Sequence, residues 1–91
     1  MVRRDLALVV ADDISFSAIE NVSRGKLGAV LKQINLFDVY RNSEVLGEGQ
    51  KSYAVSFLLS DTGKTFSDQE VDHLIKDLLN ELGKRVGARL R

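Results

Sequence analysis

The feature that most constrains this fold is a long amphipathic segment near the C-terminus. Ser67 and Glu70 have the spacing of a helix capping box, which begins a helix. Phe66 and Val71 flank the cap at the positions of a hydrophobic staple. Apolar residues then recur on one helical stripe: Val71, Leu74, Ile75, Leu78, Leu82 and Val86. The pattern predicts a helix, closed by Gly87, whose apolar stripe packs against a second layer of structure.

The rest of the chain supplies that layer as strands. Residues 4–11, 30–41 and 51–59 are rich in branched and aromatic residues and alternate between two faces, as half-buried strands do. Ser15 caps a first helix between the first two of these segments. Residues 42–50 carry two glycines and predict a loop, residues 61–65 a turn, and the final ARLR a short strand.

The order strand, helix, strand, strand, helix, strand predicts an α+β, ferredoxin-like fold. Right-handed crossovers in such a chain give a four-stranded antiparallel sheet with two helices on one face and the other face open. Ninety-one residues suffice for one domain, so residues 1–91 are expected to form a single unit. The predicted core comprises Leu8, Phe37, Val55, Phe57, Leu74, Ile75 and Leu78.

Composition excludes several kinds of chemistry. The chain has no cysteine and one histidine, His73, so thiol catalysis and cysteine metal sites are excluded. No apolar run is long enough to span a bilayer, which predicts a cytoplasmic protein without a membrane partner. Thirteen basic and thirteen acidic residues cancel, so any binding of nucleic acid must use a local patch.

The topology predicts where such patches lie. Because the first strand lies antiparallel beside the last, the start of the first is expected next to the end of the last, and Arg3 and Arg4 converge with Arg89 and Arg91 at one end of the sheet. Arg41 and Lys51 lie at the opposite end, roughly 20 Å away for a six-residue strand. The alternation also places Asp38 and Tyr40 on the open face, with Ser52 beside them on the next strand.

Five segments together carry a family resemblance: RRDLALVV, NLFDVYR, EGQKSYAVSFLL, KTFSDQEV and GARLR. In order and spacing they resemble the C-terminal ferredoxin-fold anticodon-binding domain of the bacterial phenylalanyl-tRNA synthetase beta subunit. The specific part is NLFDVYR followed a dozen residues later by KSYAVSF. One departure is Asn42, where the family usually has glycine; Asn42 is expected to adopt a similar left-handed bend.

The resemblance implies a fragment from the C-terminal end of a larger chain that binds the anticodon of tRNA-Phe and is itself non-catalytic. The implied partners are tRNA-Phe, the rest of the beta subunit and the alpha subunit. No cofactor is implied for this domain, whereas ATP and magnesium are implied for the parent class II ligase.

The resemblance also assigns roles to particular residues. Tyr40 would stack on an anticodon base, and Asp38 would recognise guanine with help from Ser52. The basic residues at the two ends of the sheet predict phosphate contacts at Arg3, Arg4, Arg41 and Lys51. Spacing alone leaves simpler roles open, because Tyr40 fits an exposed strand tyrosine and Asp38 fits a turn cap or a lysine pair. The terminal arginines suit either phosphate or a docking surface.

Two other functions share this fold class. An acylphosphatase needs an arginine in a glycine-rich phosphate loop, and the chain has no such loop. The remaining alternative is an ACT-like regulatory or protein-interaction domain, which has the same topology and binds amino acids or partner chains at strand-helix loops. Binding of tRNA rather than of amino acids would distinguish the two.

Overall fold

The computed structural model describes residues 1–61, 63 and 65–91. The elements are β1 (Val2–Ala11), α1 (Phe16–Leu27), a 3-10 turn (Gly28–Val30), β2 (Leu31–Tyr40), α2 (Ser43–Leu46), β3 (Gln50–Leu59), α3 (Asp68–Val86) and β4 (Arg89–Leu90). The four predicted strands and two predicted helices are therefore present. The short α2 lies within the segment expected to be a loop. The turn predicted at residues 61–65 includes Thr62 and Lys64, which lie outside the described residues.

The strands form one sheet in the order β2-β3-β1-β4, and each neighbouring pair is antiparallel. One hydrophobic cluster joins the sheet to α1 and α3, which pack on a single face. This arrangement confirms the α+β, ferredoxin-like architecture. The opposite face of the sheet, here called the open face, has neither long helix on it.

The helix ends follow the predicted capping chemistry. The Ser67 hydroxyl accepts a hydrogen bond from the Glu70 amide at 3.2 Å, and the Glu70 carboxylate accepts one from the Ser67 amide at 3.1 Å. Gly87 ends α3 with a left-handed backbone at φ 69°. These caps satisfy backbone groups that the helix itself leaves unpaired. They therefore fix where α3 begins and ends.

The core lies between the sheet and the two long helices. Leu8, Val55, Phe57, Ile75 and Leu78 are buried as predicted, and Leu74 is half-buried against them. The prediction for Phe37 is wrong, because its side chain is 57% exposed.

A β-bulge in β2 explains the error. Leu36 pairs with Val55 and Asp38 pairs with Ala54, so Phe37 is an extra residue with no counterpart on β3. Before the bulge, Leu36 packs against the core; after it, Val39 pairs with Tyr53 on the helix side of the sheet but is 38% exposed. Strict alternation through this segment cannot assign both sides of the bulge correctly.

The position of β4 along β1 corrects a second prediction, the convergence of the terminal arginines. Arg89 pairs with Val9 and Leu90 with Leu8, so β4 covers only the second half of β1. Arg3 lies about 20 Å further along β1 from Val9 at the spacing of extended strands. The four terminal arginines therefore do not converge, and Arg89 and Arg91 lie toward the end of the sheet where β2 finishes.

We predict that Phe57→Ala and Leu78→Ala each lower the free energy of unfolding by roughly 2–5 kcal/mol, because both side chains are fully buried. Such a loss is a large fraction of the stability of a small domain. Urea denaturation followed by circular dichroism measures it. Val45→Ala is the control, since Val45 is an exposed aliphatic residue whose truncation should change stability by less than about 0.5 kcal/mol. Stability of the two core variants equal to that of the control would contradict the packing described.

Candidate nucleic-acid interface

The centre of the open face is built from small side chains on the two central strands. In the antiparallel register, Ala7 lies opposite Ala54, and Val9 lies opposite Ser52. Asp5 and Ser56 extend the same row toward the start of β1. Because none of the four central side chains is long, the middle of this face is low and flat. Longer side chains from the two edge strands can therefore lie across it.

The bulge places Asp38 and Tyr40 on this face. Tyr40 pairs with Ser52 and Asp38 with Ala54, both of which belong to the open-face row of β3. The structure thus brings together three residues that the sequence predicted to lie on one face, Asp38, Tyr40 and Ser52. It therefore confirms that the three residues share a face, while their roles in binding stay predictions.

Tyr40 is half-buried and its hydroxyl is held in place. The Asn42 side-chain nitrogen donates a hydrogen bond to the Tyr40 hydroxyl at 3.1 Å, and the Asn42 side-chain oxygen, Oδ1, accepts one from the Glu44 backbone amide at 3.0 Å. Asn42 therefore caps α2 and positions the ring. Its backbone is extended, at φ −158°, so the predicted left-handed bend at Asn42 is wrong. The positive-φ positions of this loop are Gly47 and Gly49.

Arg91 lies over the Tyr40 ring, an interaction that the sequence did not predict. The guanidinium carbon is 4.2 Å from the ring centroid, within the range of a cation–π interaction. The Arg91 backbone amide donates to the Ala7 carbonyl at 2.9 Å, which anchors the residue beside β1. The two side chains come from opposite edges of the sheet, three strand spacings or roughly 14 Å apart, so they lean inward and meet above the small central residues.

Arg89 ties the end of the chain to the α2 segment. Its guanidinium donates to the Leu46 carbonyl at 3.4 Å and to the Gln50 side-chain oxygen at 3.1 Å. Leu46 and Val9 are both buried, yet neither belongs to the cluster between the sheet and the helices; Val9 lies on the open face. The α2 segment and β4 are thereby held together at the Tyr40 end of the sheet.

Asp38 is exposed and has an oxygen available. Its Oδ1 accepts a hydrogen bond from the Val39 amide at 2.9 Å, which orients the carboxylate. Within the described part of the chain its other oxygen has no hydrogen-bond partner. Ser52 differs, because it is only 2% exposed in its place between Val9 and Tyr40. A ligand can reach Asp38 directly, whereas the neighbouring side chains cover Ser52 and must move before a ligand can reach it.

Lys51 lies at the predicted end of the sheet but points to the helix side, in line with Tyr53 and Val55. It is 6% exposed, and its ammonium donates to the Asp12 carbonyl at 2.8 Å and lies 4.8 Å from the centroid of the Tyr53 ring. The Tyr53 hydroxyl donates to the Ile14 carbonyl at 2.9 Å. Together they fasten the loop between β1 and α1. This position disfavours the predicted contact between Lys51 and phosphate.

The three predicted arginines are in different settings. Arg41 is largely exposed at the Tyr40 end and makes a 3.5 Å ion pair with Asp12. Arg4 faces the helix side, where it lies 3.7 Å from Asp68. Arg3 lies on the open face at the far end and pairs with Asp5 at 2.9 Å. That hydrogen bond raises the pKa of Arg3 and lowers the pKa of the Asp5 carboxyl.

Arg91 therefore lies over the Tyr40 ring, and Arg41 follows Tyr40 in the chain at the same end of the sheet, where it pairs with Asp12. The sequence predicts Arg41 at this end and misses Arg91, because the end of the last strand is expected beside the start of β1, whereas β4 pairs with the second half of β1. The Tyr40 ring, the exposed Asp38 carboxylate and the Arg91 guanidinium form one surface on the open face. Such a surface can stack on a base, accept hydrogen bonds from its edge and attract its phosphate.

The described part of the chain gives no support to a metal site. Across residues 1–61, 63 and 65–91, no group of three or more histidine, cysteine, aspartate or glutamate side chains is placed to hold a metal ion. His73 is exposed on α3 and lies 3.4 Å from Asp77.

The helices also lack the properties of membrane-spanning segments. None in the described part of the chain combines the length and apolar character required to cross a bilayer.

The fold and this surface define the class of the protein: a ferredoxin-like domain with a binding surface on its open face. Comparison with known families gives the particular one: the model of the Ferredoxin-fold anticodon binding domain family matches residues 1–91, and the chain belongs to that family. This membership confirms the family resemblance of the sequence, and it favours that interpretation over the ACT-like alternative.

Curated relatives agree with the family assignment. The chain is 41% identical over 90 residues to the phenylalanine–tRNA ligase beta subunit of Bacteroides fragilis, which covers 99% of this chain. It is 45% and 43% identical over 89 residues to the beta subunits of Mannheimia succiniciproducens and Haemophilus influenzae, each covering 98% of this chain. In all three cases the chain spans only 11% of the relative's length.

We predict that Arg91→Ala exposes the Tyr40 ring. The chain has two tyrosines and no tryptophan, and Tyr53 is buried, so quenching of tyrosine fluorescence by a neutral quencher reports mainly on Tyr40. The quenching constant should rise, while stability falls by only about 0.5–1 kcal/mol, the usual size of an exposed cation–π interaction.

Arg85→Ala is the matched control, because Arg85 is an exposed arginine on α3 whose guanidinium pairs with Glu81 at 3.0 Å. Equal quenching in both variants would show that Arg91 does not cover the ring in solution.

Proposed function

We propose that this domain binds the anticodon loop of tRNA-Phe on its open face, as a part of the beta subunit of phenylalanyl-tRNA synthetase. The observation that carries the proposal is the common placement of the Tyr40 ring and the Asp38 carboxylate on the open face of a member of this family. The domain contributes binding. In the parent enzyme, aminoacylation, with its ATP and magnesium, takes place outside this chain, and the alpha subunit completes the enzyme.

Tyr40 supplies the stacking surface. Loop RNA is the natural target, because its unstacked bases can splay outward, whereas paired RNA keeps its base edges in a deep groove. A base on an aromatic ring gains roughly 1–3 kcal/mol. Since Arg91 covers part of the ring, a base either takes the remaining surface or exchanges with the guanidinium. In both arrangements a positive charge stays close to the nucleotide phosphate.

Asp38 supplies recognition of the base. Its free carboxylate oxygen accepts hydrogen bonds, and guanine presents an imino and an amino donor side by side on its Watson–Crick edge. The hydrogen bond from Val39 keeps the carboxylate in a fixed orientation. Ser52 adds a hydroxyl once the side chains above it move. Guanine at the first anticodon position is the base that fits this set of acceptors.

Phosphate contacts complete the proposed interface. Arg91 lies over the proposed base site, Arg41 is exposed at the same end of the sheet, and Arg3 can meet the RNA at the far end of the open face. Arg4, on the helix side, and the buried Lys51 are disfavoured as direct contacts.

We predict that Tyr40→Ala and Asp38→Asn have different effects on RNA binding. Tyr40→Ala should weaken binding whatever base stands first in the anticodon, because stacking tolerates any base. Asp38→Asn should instead reduce the preference for guanine by roughly 1–3 kcal/mol, the scale of a well-formed pair of hydrogen bonds to a base edge. Titration of anticodon stem-loops that differ only at that base measures both effects. Unchanged discrimination in Asp38→Asn would remove the recognition role and leave Asp38 as a structural residue.

We also predict that Arg41→Gln lowers the salt dependence of RNA binding. Removing one cation that binds phosphate should reduce the slope of log affinity against log salt by about 0.7 for single-stranded RNA. Arg85→Gln is the control, because Arg85 and Arg41 are similarly exposed and each is paired with an acidic residue, yet Arg85 lies on the helix layer. If the two variants give the same slope as the unsubstituted chain, the phosphate-binding residues lie elsewhere.

A further inference from the structure

Phe37 is an exposed aromatic residue that the function proposed above does not use. Its side chain is 57% exposed, whereas every other phenylalanine or tyrosine in the described part of the chain is buried or half-buried. It is also absent from the hydrophobic cluster and from the apolar residues packed against that cluster. Phe37 thus has no packing role in the core, and its ring is available to a ligand, on which its burial would be favourable.

The bulge is what keeps Phe37 out of the core. As the extra residue between Leu36 and Asp38, it is released from the alternation that places Leu36 against the helices. β2 is also an edge strand, so no further strand covers it. Phe37 is therefore presented at the margin of the sheet, directly before Asp38.

We propose that Phe37 is a second stacking platform for the loop of a single-stranded RNA, holding a base next to the one on Tyr40. This inference rests on the proposed function and extends it from one base to two. Phe37 and Tyr40 are three residues apart on one strand, at most about 10 Å. A splayed loop can span that distance, and any base can use the ring because every base has an aromatic face.

The surroundings of Phe37 favour RNA over a protein partner. Protein interfaces place their aromatic anchors within largely apolar, desolvated patches. Phe37 instead has exposed polar neighbours along β2, Gln33, Asn35 and Asp38, with only Val39 as an exposed apolar neighbour. The Arg91 guanidinium lies over the ring of Tyr40, which is three residues further along the chain than Phe37. A lone ring in a polar setting with positive charge nearby matches the chemistry of a nucleotide.

The test compares three substitutions at Phe37 in the 91-residue chain. Phe37→Ala removes the ring, Phe37→Leu keeps an apolar side chain without an aromatic face, and Phe37→Trp enlarges the aromatic face. Val45→Ala is the control, since Val45 is equally exposed and apolar but lies on α2. The probe is an anticodon stem-loop RNA with a fluorescent adenine analogue placed in turn at each loop position.

We expect the alanine and leucine variants to bind the stem-loop about 5- to 150-fold more weakly, while the tryptophan variant and the control bind like the unsubstituted chain. Quenching of the analogue should be lost in the alanine and leucine variants at one loop position, adjacent to the position that responds to Tyr40→Ala. Thermal melting checks that each variant is folded. Because Phe37 is exposed, the leucine variant should melt like the unsubstituted chain.

Two outcomes separate this inference from the proposed function. If Tyr40→Ala weakens binding and the Phe37 variants do not, Phe37 does not stack on a base and the inference is wrong. The proposed function then stands, and the exposed ring of Phe37 is available to a protein partner instead. If the leucine variant binds as well as phenylalanine, the interaction is not aromatic stacking and the inference also fails. If the unsubstituted chain does not bind the stem-loop at all, the proposed function fails as well.

Discussion

The bulge at Phe37 is the constraint on which the rest of the surface depends. One strand must keep Ile34 and Leu36 in the core and, a few residues later, present Asp38 and Tyr40 to solvent. Regular alternation cannot do both, because residues of equal parity stay on one face. One extra residue in the strand reverses the alternation, so that even-numbered residues face the core before the bulge and the open face after it. The polar chemistry of the open face is thereby added without removing an apolar side chain from the core.

The small residues of the central strands are the second requirement. Ala7 and Ala54 leave room above β1 and β3, so Tyr40 and Arg91 can reach each other from opposite edges of the sheet. A long side chain at either alanine would separate them. Residues that contribute no functional group therefore decide whether the ring and the guanidinium form one surface. The helix side has the opposite character, since the side chains of Phe57 and Val55 on the same strand are fully buried there.

The fold could be predicted from the sequence because its signals are local. The cap at Ser67, the stripe on α3 and the alternation on β3 each depend on a few neighbouring residues and agree with one another. The site could be predicted only in part. Asp38 and Tyr40 were assigned to the correct face, yet Phe37 was placed in the core because a bulge has no signature in strand periodicity. Arg91 was missed because its position depends on where β4 stops, and the burial of Lys51 depends on the carbonyl of Asp12, which is distant in sequence.

The two-residue length of β4 has a consequence for the dynamics of the chain end. Backbone pairing holds Arg89 and Leu90, and Arg91 adds one amide, so much of the attachment comes from the side chains of Arg89 and Arg91. Short, exposed elements open locally at a lower free energy than the strands at the centre of a sheet. The fraying of the last strand is therefore coupled to the state of the Tyr40 ring, and amide hydrogen exchange at the final residues becomes a reporter of what occupies that ring.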